Sequence, residues 1–172
     1  NERVVGRLTN GIAALAKARK VQIVTGSGVF TSPTSIEVTQ ADGVTEVTFE
    51  DVIIAVGSHP TKIPGFPEDP RIMDSTSALD LDGIPENLLI IGGGYIGLEM
   101  GSVWARLGAQ VTVVEFLDRI VPTMDREIGK RFMAVLRKQG LTFKLSTKVT
   151  GAKAGRSGVK LSVESVKSGE AE

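Results

Sequence analysis

Cysteine is absent from all 172 positions, and histidine, tryptophan and tyrosine occur once each. Without thiols the chain forms no disulfide scaffold, carries no thiolate nucleophile and holds no metal through sulfur. The single histidine, His59, stands beside Pro60 in a loop-like stretch and reads as a surface residue. An excess of one charge is also missing: 20 Lys+Arg balance 20 Asp+Glu. No overall field therefore draws the chain to nucleic acid or to an anionic membrane. No apolar run approaches the roughly 20 residues needed to span a bilayer. What remains, 41% hydrophobic and 23% charged residues, is ordinary for a globular protein long enough to bury a core. The chain starts at Asn1-Glu2 without methionine, so further polypeptide is expected upstream.

The most informative stretch lies near the middle. The apolar run Leu88-Leu89-Ile90-Ile91 ends in Gly92-x-Gly94-x-x-Gly97, a helix-like segment follows as far as Gly108, and Gln110 opens a second apolar run closed by Glu115. Each glycine has a mechanical purpose in such a strand–turn–helix unit. Gly92 permits the tight turn, Gly94 lets the backbone approach a pyrophosphate, and Gly97 lets helix and strand pack closely. Free N–H groups and the dipole at the helix start attract phosphate. Glu115, about 20 residues further on, is placed to accept hydrogen bonds from the adenosine ribose hydroxyls. A lone glycine motif would carry little weight, but this one sits between a strand and a helix and ends in an acid. The expectation is a dinucleotide site.

NAD is expected rather than NADP. Glu115 would repel a 2′-phosphate, and Phe116-Leu117-Asp118 offers no arginine immediately after it; Arg119 is the nearest cation. Met100 and Trp104, four apart on the same helix, are expected in the core. Arg119, Arg126, Lys130 and Arg131 are expected as solvated helix charges.

The same order of elements occurs twice. Residues 4–20 have helical spacing, with Val5, Leu8, Ile12, Leu15 and Ala16 on one stripe; residues 21–25 read as a strand. Residues 29–30, 35–39 and 44–49 then alternate like a three-stranded meander, and 52–56 reads as a short buried strand ending at Gly57. In the second half, 125–138 is expected as a helix with Ile128, Phe132, Val135 and Leu136 inward, followed by a strand at 141–145 and a meander starting at 149–152 and 159–166. The stretch 57–83, with Pro60, Pro64, Pro67 and Pro70, connects the halves. The fold class is therefore α/β: a Rossmann-like parallel sheet with helices and a β-meander, plus a partial second nucleotide-binding domain.

Several runs carry a family resemblance: Val4-Val5-Gly6-Arg7-Leu8-Thr9, Asp74-Ser75-Thr76-Ser77-Ala78-Leu79, GGGYIGLEMGSVW from Gly92 to Trp104, Val113-Val114-Glu115-Phe116, and LSTKVTG from Leu145 to Gly151. In these the chain resembles the middle portion of the dihydrolipoamide dehydrogenase family, within the flavin-dependent pyridine nucleotide-disulfide oxidoreductases. The resemblance implies residues 1–72 as the C-terminal part of an FAD-binding domain and 73–172 as an NAD-binding Rossmann domain lacking its last strand. It implies an enzyme that oxidises dihydrolipoamide to lipoamide with reduction of NAD, a homodimer associated with 2-oxoacid dehydrogenase complexes, in the bacterial cytoplasm or the mitochondrial matrix. Its redox cysteine pair would lie upstream and its His-Glu acid–base pair downstream, so the chain alone is expected to be inactive.

For the cofactors, the resemblance implies NAD contacts at Gly92, Gly93, Gly94, Tyr95, Ile96, Gly97, Leu98, Glu99, Glu115 and Val149. Tyr95 matches a gate over the nicotinamide face of the flavin, though packing at a helix start explains it equally well. Gly28, Val56, Gly57 and Ser58 match FAD contacts, with Val56 replacing a threonine; Gly57 serves as well simply to end a strand. The same pattern allows another flavin disulfide reductase, resembling glutathione or mercuric reductase, as the parent.

Overall fold

A computed structural model describes residues 2–80 and 83–172. The chain divides into two compact units, Asn1–Gly57 and Ser58–Glu172. The break falls at the start of the proline-containing connection rather than at residue 72. Part of that connection belongs to the second unit: Asp69 grips the Arg71 guanidinium, with Nε donating to Oδ1 at 2.8 Å, and Arg71 Nη1 donates to the Gly155 carbonyl at 2.9 Å.

The first unit holds α1 (Glu2–Ala18) and an antiparallel meander of β1 (Ser27–Ser32), β2 (Ser35–Gln40) and β3 (Gly43–Thr48). Alternating Ile36, Val38 and Thr-rich neighbours suit a pleated strand, and Gly43 at φ 151° supplies the turn between β2 and β3. Val38 is buried, and Phe30 meets Phe49 edge-to-face at 6.1 Å.

Three expectations change here. The α1 stripe of Val5, Leu8, Ile12 and Leu15 forms its helix but stays exposed. Residues 21–25 and 52–56 form no strand, and the second of these is not buried: Ile53 and Val56 are 92% and 91% exposed. The reason is shared. A helical stripe needs an apolar face opposite it, and a strand exists only by exchanging hydrogen bonds with a neighbour. Among the described residues of this unit, no strand pairs with either segment.

In the second unit, β4 (Asn87–Ile91), β5 (Gln110–Val114) and β6 (Thr142–Lys144) form a parallel sheet in the order β4-β5-β6, joined through α2 (Tyr95–Leu107) and α3 (Arg126–Lys138). Leu88 pairs with Val111 and Ile91 with Val114, so β4 and β5 are adjacent parallel strands. β5 lies in the middle and is the most buried of the three, and Val113 is fully buried. Around it pack Leu98, Trp104, Ile120, Leu136 and Leu141, with Met100 partly buried against them. Each such side chain contributes about 1.5–3 kcal/mol by leaving water. β7 (Thr147–Gly155) and β8 (Gly158–Ser165) form a separate antiparallel pair.

The ends of the helices follow local chemistry. Gly108 closes α2 in the left-handed region at φ 115°, and Asp125 caps α3 by accepting from the N–H groups of Glu127 and Ile128 at 2.9 and 3.2 Å. The inward face of α3 differs from the expected one. Leu136 is buried, but Ile128, Phe132 and Val135 are exposed, and the face turned to the core runs Gly129, Met133, Leu136. Close packing accompanies it: a Cβ at Gly129 would stand 3.3 Å from the Ile120 carbonyl oxygen, a tight contact that glycine avoids where α3 lies near that loop.

Candidate nucleotide-binding site

The glycine turn stands at the C-terminal ends of β4 and β5. The Gly92 N–H donates to the Val114 carbonyl at 2.8 Å, which extends the parallel ladder one residue beyond β4. Gly92 then reverses the chain at φ 101°, a conformation costly for any residue with a Cβ. Gly97 is required by packing: a Cβ there would lie 2.6 Å from the Gly92 carbonyl oxygen and 3.0 Å from Ile90 Cγ2. Gly101 is a further such residue, with a Cβ falling 2.8 Å from Ile90 Cδ1 and 3.3 Å from Val111 Cγ1. Its role was not drawn from the sequence, although a glycine one turn after Gly97 inside a helix is itself the signal.

Gly94 is different. Its φ of −76° suits any residue, and an added Cβ would meet nothing within 4 Å. Nothing in the protein's own packing demands glycine there. The position opens α2, which has no side-chain cap and no acid in its first turn, whereas α3 is capped by Asp125. An uncapped helix start beside an open glycine offers free N–H donors and the positive end of a dipole to a phosphate. The chain therefore fits the diphosphate of a dinucleotide on its own geometry.

Glu115 follows β5 directly and is 8% exposed. Its Oε2 accepts from the Gly93 N–H at 2.5 Å and its Oε1 from the Leu117 N–H at 2.7 Å. Its backbone is held as firmly, donating to Lys144 at 2.8 Å and accepting from Thr147 at 2.9 Å. The Val121 N–H donates to the Gly93 carbonyl at 2.8 Å, so both polar groups of Gly93 are engaged. A carboxylate thus lies against the glycine turn.

Of the other expected residues, Tyr95, Ile96 and Glu99 lie exposed on the first turns of α2. Leu98 points the other way, 1% exposed in the core, and its N–H donates to the Gly94 carbonyl at 3.1 Å, so it offers packing. Val149 is on β7, opposite Val163, in another sheet. Gly28 is on β1 and Val56, Gly57 and Ser58 are in the extended segment at the unit boundary; Gly57 has φ 75°. Among the described residues no ladder or hydrogen bond joins Gly28 to that segment. The structure brings Glu115 against the glycine turn after β4.

One of the four charge assignments differs. Arg126 and Arg131 lie solvated on α3, as expected, but Arg119 is in the loop before it. Arg119 is partly buried and its Nη2 donates to the Pro122 carbonyl at 3.3 Å. Its guanidinium is turned onto its own loop rather than offered to a 2′-phosphate. His59 is exposed.

A parallel βαβαβ sheet with an open glycine turn and an acid after its second strand is the architecture of Rossmann-type domains. The model of the pyridine nucleotide-disulphide oxidoreductases matches residues 2–172, and the chain belongs to that family. It is 50% identical over 171 residues to the mitochondrial dihydrolipoyl dehydrogenase of Pisum sativum, covering 98% of this chain and 34% of the relative. Against dihydrolipoyl dehydrogenase of Vibrio cholerae the identity is 46% over 164 residues, covering 95% of this chain and 34% of the relative. Among solved structures, LpdA from Mycobacterium tuberculosis superposes with a TM-score of 0.83 at 25% identity, over 99% of this chain and 38% of that one. The chain spans about a third of the length of these relatives. Dihydrolipoyl dehydrogenases use FAD and NAD. No helix among the described residues is long and apolar enough to cross a membrane.

Proposed function

We propose that this chain is the NAD-holding part of a flavoenzyme that oxidises dihydrolipoamide. The observation that carries the reading is Gly94: a glycine unneeded by backbone or packing, open, at the uncapped start of α2 and beside a buried acid. The N–H groups following Gly94 take the diphosphate, and Glu115 accepts from the adenosine ribose hydroxyls. The carboxylate disfavours a 2′-phosphate, which makes NAD the ligand over NADP. Tyr95 and Glu99, exposed and one turn apart, face the nicotinamide end, and the backbone of Val149 lies toward the adenine. When bound, NAD supplies the carbon that accepts a hydride.

Gly28, Val56, Gly57 and Ser58 are assigned to FAD in the whole enzyme, where residues 1–72 supply the C-terminal part of an FAD domain and the NAD domain begins at 73. The whole enzyme is a homodimer in a 2-oxoacid dehydrogenase complex, in the bacterial cytoplasm or mitochondrial matrix. The identity to dihydrolipoyl dehydrogenases supports this substrate over those of other flavin disulfide reductases. Calorimetric titration tests the nucleotide assignment: NAD binds, and NADP binds more weakly. Absence of NAD binding, or a preference for NADP, refutes it.

A further inference from the structure

Glu115 has a second task. Both of its carboxylate oxygens accept backbone hydrogen bonds without any ligand, from Gly93 at 2.5 Å and from Leu117 at 2.7 Å. Charge-assisted bonds of this length are strong, and these are largely shielded from water. They join two segments remote in sequence, the turn between β4 and α2 and the loop after β5. The return bond from Val121 N–H to the Gly93 carbonyl closes a ring around Gly93. The middle residue of the motif is itself fitted to this: a Cβ at Gly93 would stand 3.2 Å from Oε2, 3.3 Å from Cγ of Glu115 and 3.1 Å from Ile120 Cγ2. We propose that Glu115 is a positioning residue for the glycine turn, holding it in the phosphate-receiving conformation before nucleotide arrives, separately from any contact with ribose.

The chemistry explains why a carboxylate is needed. Two N–H donors converge on the two oxygens, and each oxygen retains a further lone pair for a ribose hydroxyl. A carboxamide has one acceptor oxygen and would turn an NH2 donor against the second N–H. Glu115→Gln therefore preserves shape but cannot satisfy both bonds.

The inference rests on the nucleotide assignment above only for its consequence on affinity, and the test separates the two. In the ligand-free protein, NMR should find the Gly93 amide proton shifted downfield and protected from exchange, with both features lost in Glu115→Gln. Trp104, buried on α2, reports by near-ultraviolet circular dichroism that the variant is folded. Calorimetry then compares NAD with an analogue whose adenosine ribose lacks both hydroxyls. Glu115→Gln should weaken the analogue about fivefold or more, and NAD by more still. Gly93→Ala, which leaves the carboxylate present but crowds it, should weaken both ligands by similar factors. If Glu115→Gln leaves the analogue's affinity unchanged while NAD weakens, the residue acts through ribose alone and the proposal is wrong. An unshifted, freely exchanging Gly93 amide in the unsubstituted protein overturns it as well. A shifted amide in a protein that binds neither ligand overturns the nucleotide assignment and, with it, the positioning role for phosphate.

Discussion

Replacing Gly94 with serine separates what the protein needs for folding from what it needs for its ligand. The position has an extended backbone, φ −76° and ψ 172°, and precedes the first turn of α2, which is the conformation of a helix cap. Nothing lies within 4 Å of the added Cβ. A serine oxygen can accept from the N–H groups of the first turn, worth a few tenths of a kcal/mol over glycine, and the loss of glycine's freedom in the unfolded chain adds about 0.4–1 kcal/mol. The free protein should therefore gain about 0.5–1.5 kcal/mol, a rise of a few degrees in Tm. Affinity should move the other way. The new side chain fills the approach of the diphosphate and occupies the donors it would use, and a loss of about 1.4 kcal/mol or more is tenfold or more in Kd. Gly97→Ala is the control. Its Cβ would lie 2.6 Å from a backbone oxygen held by the Gly92 turn, and overpacking of about 1–3 kcal/mol exceeds the helix propensity gained, so the free protein should be less stable. Thermal unfolding and calorimetric titration of NAD on the three proteins decide the matter. If Gly94→Ser binds NAD as well as the unsubstituted protein, the open glycine is not where the diphosphate sits, and the functional reasoning fails.

Three further outcomes are expected. Asp125→Ala removes the cap of α3 and should cost about 1 kcal/mol in denaturant unfolding; no change would mean that Glu127 or solvent replaces it. Hydrogen bonding from Arg71 lowers the Asp69 carboxyl from its ordinary 3.8 to about 2, so the grip on Arg71 is complete above pH 3.8 and is lost as pH falls toward 2. Carboxyl NMR should show that low titration midpoint, with Arg71→Ala raising it toward the ordinary value but not fully, because the backbone N–H of residue 71 still donates to Asp69; an ordinary midpoint in the unsubstituted protein would contradict the contact. The purified chain, lacking cysteine, should show no dihydrolipoamide-dependent reduction of NAD even with added FAD, and turnover above background would refute the assignment of the redox step to residues outside it.

Much of the second unit was legible in the sequence because its signals are local. Gly92, Gly108 and Gly140 adopt positive φ at the turn and helix ends, α3 starts within one residue of the expected position, and the apolar runs before Gly92 and Glu115 pair in parallel. Backbone conformation and helix capping depend on neighbours a few residues away, so residue type and spacing suffice to place them. The acid at the end of β5 belongs to the same local pattern.

Other features were decided by contacts between distant parts of the chain. Segments 21–25 and 52–56 have the composition of strands, yet composition does not supply a pairing partner, and both remain outside any ladder. The stripe read on α3 was displaced by one residue: Gly129, Met133 and Leu136 turn inward, with Gly129 close to the Ile120 carbonyl. Gly101 gives room to Ile90 and Val111, which stand across from it. Likewise the sequence determined that Glu115 follows the second strand, but the tertiary fold alone brought its carboxylate within 2.5 Å of a glycine 22 residues away. Spacing along the chain specifies which groups are available; the packing of strand, turn and loop determines which of them meet.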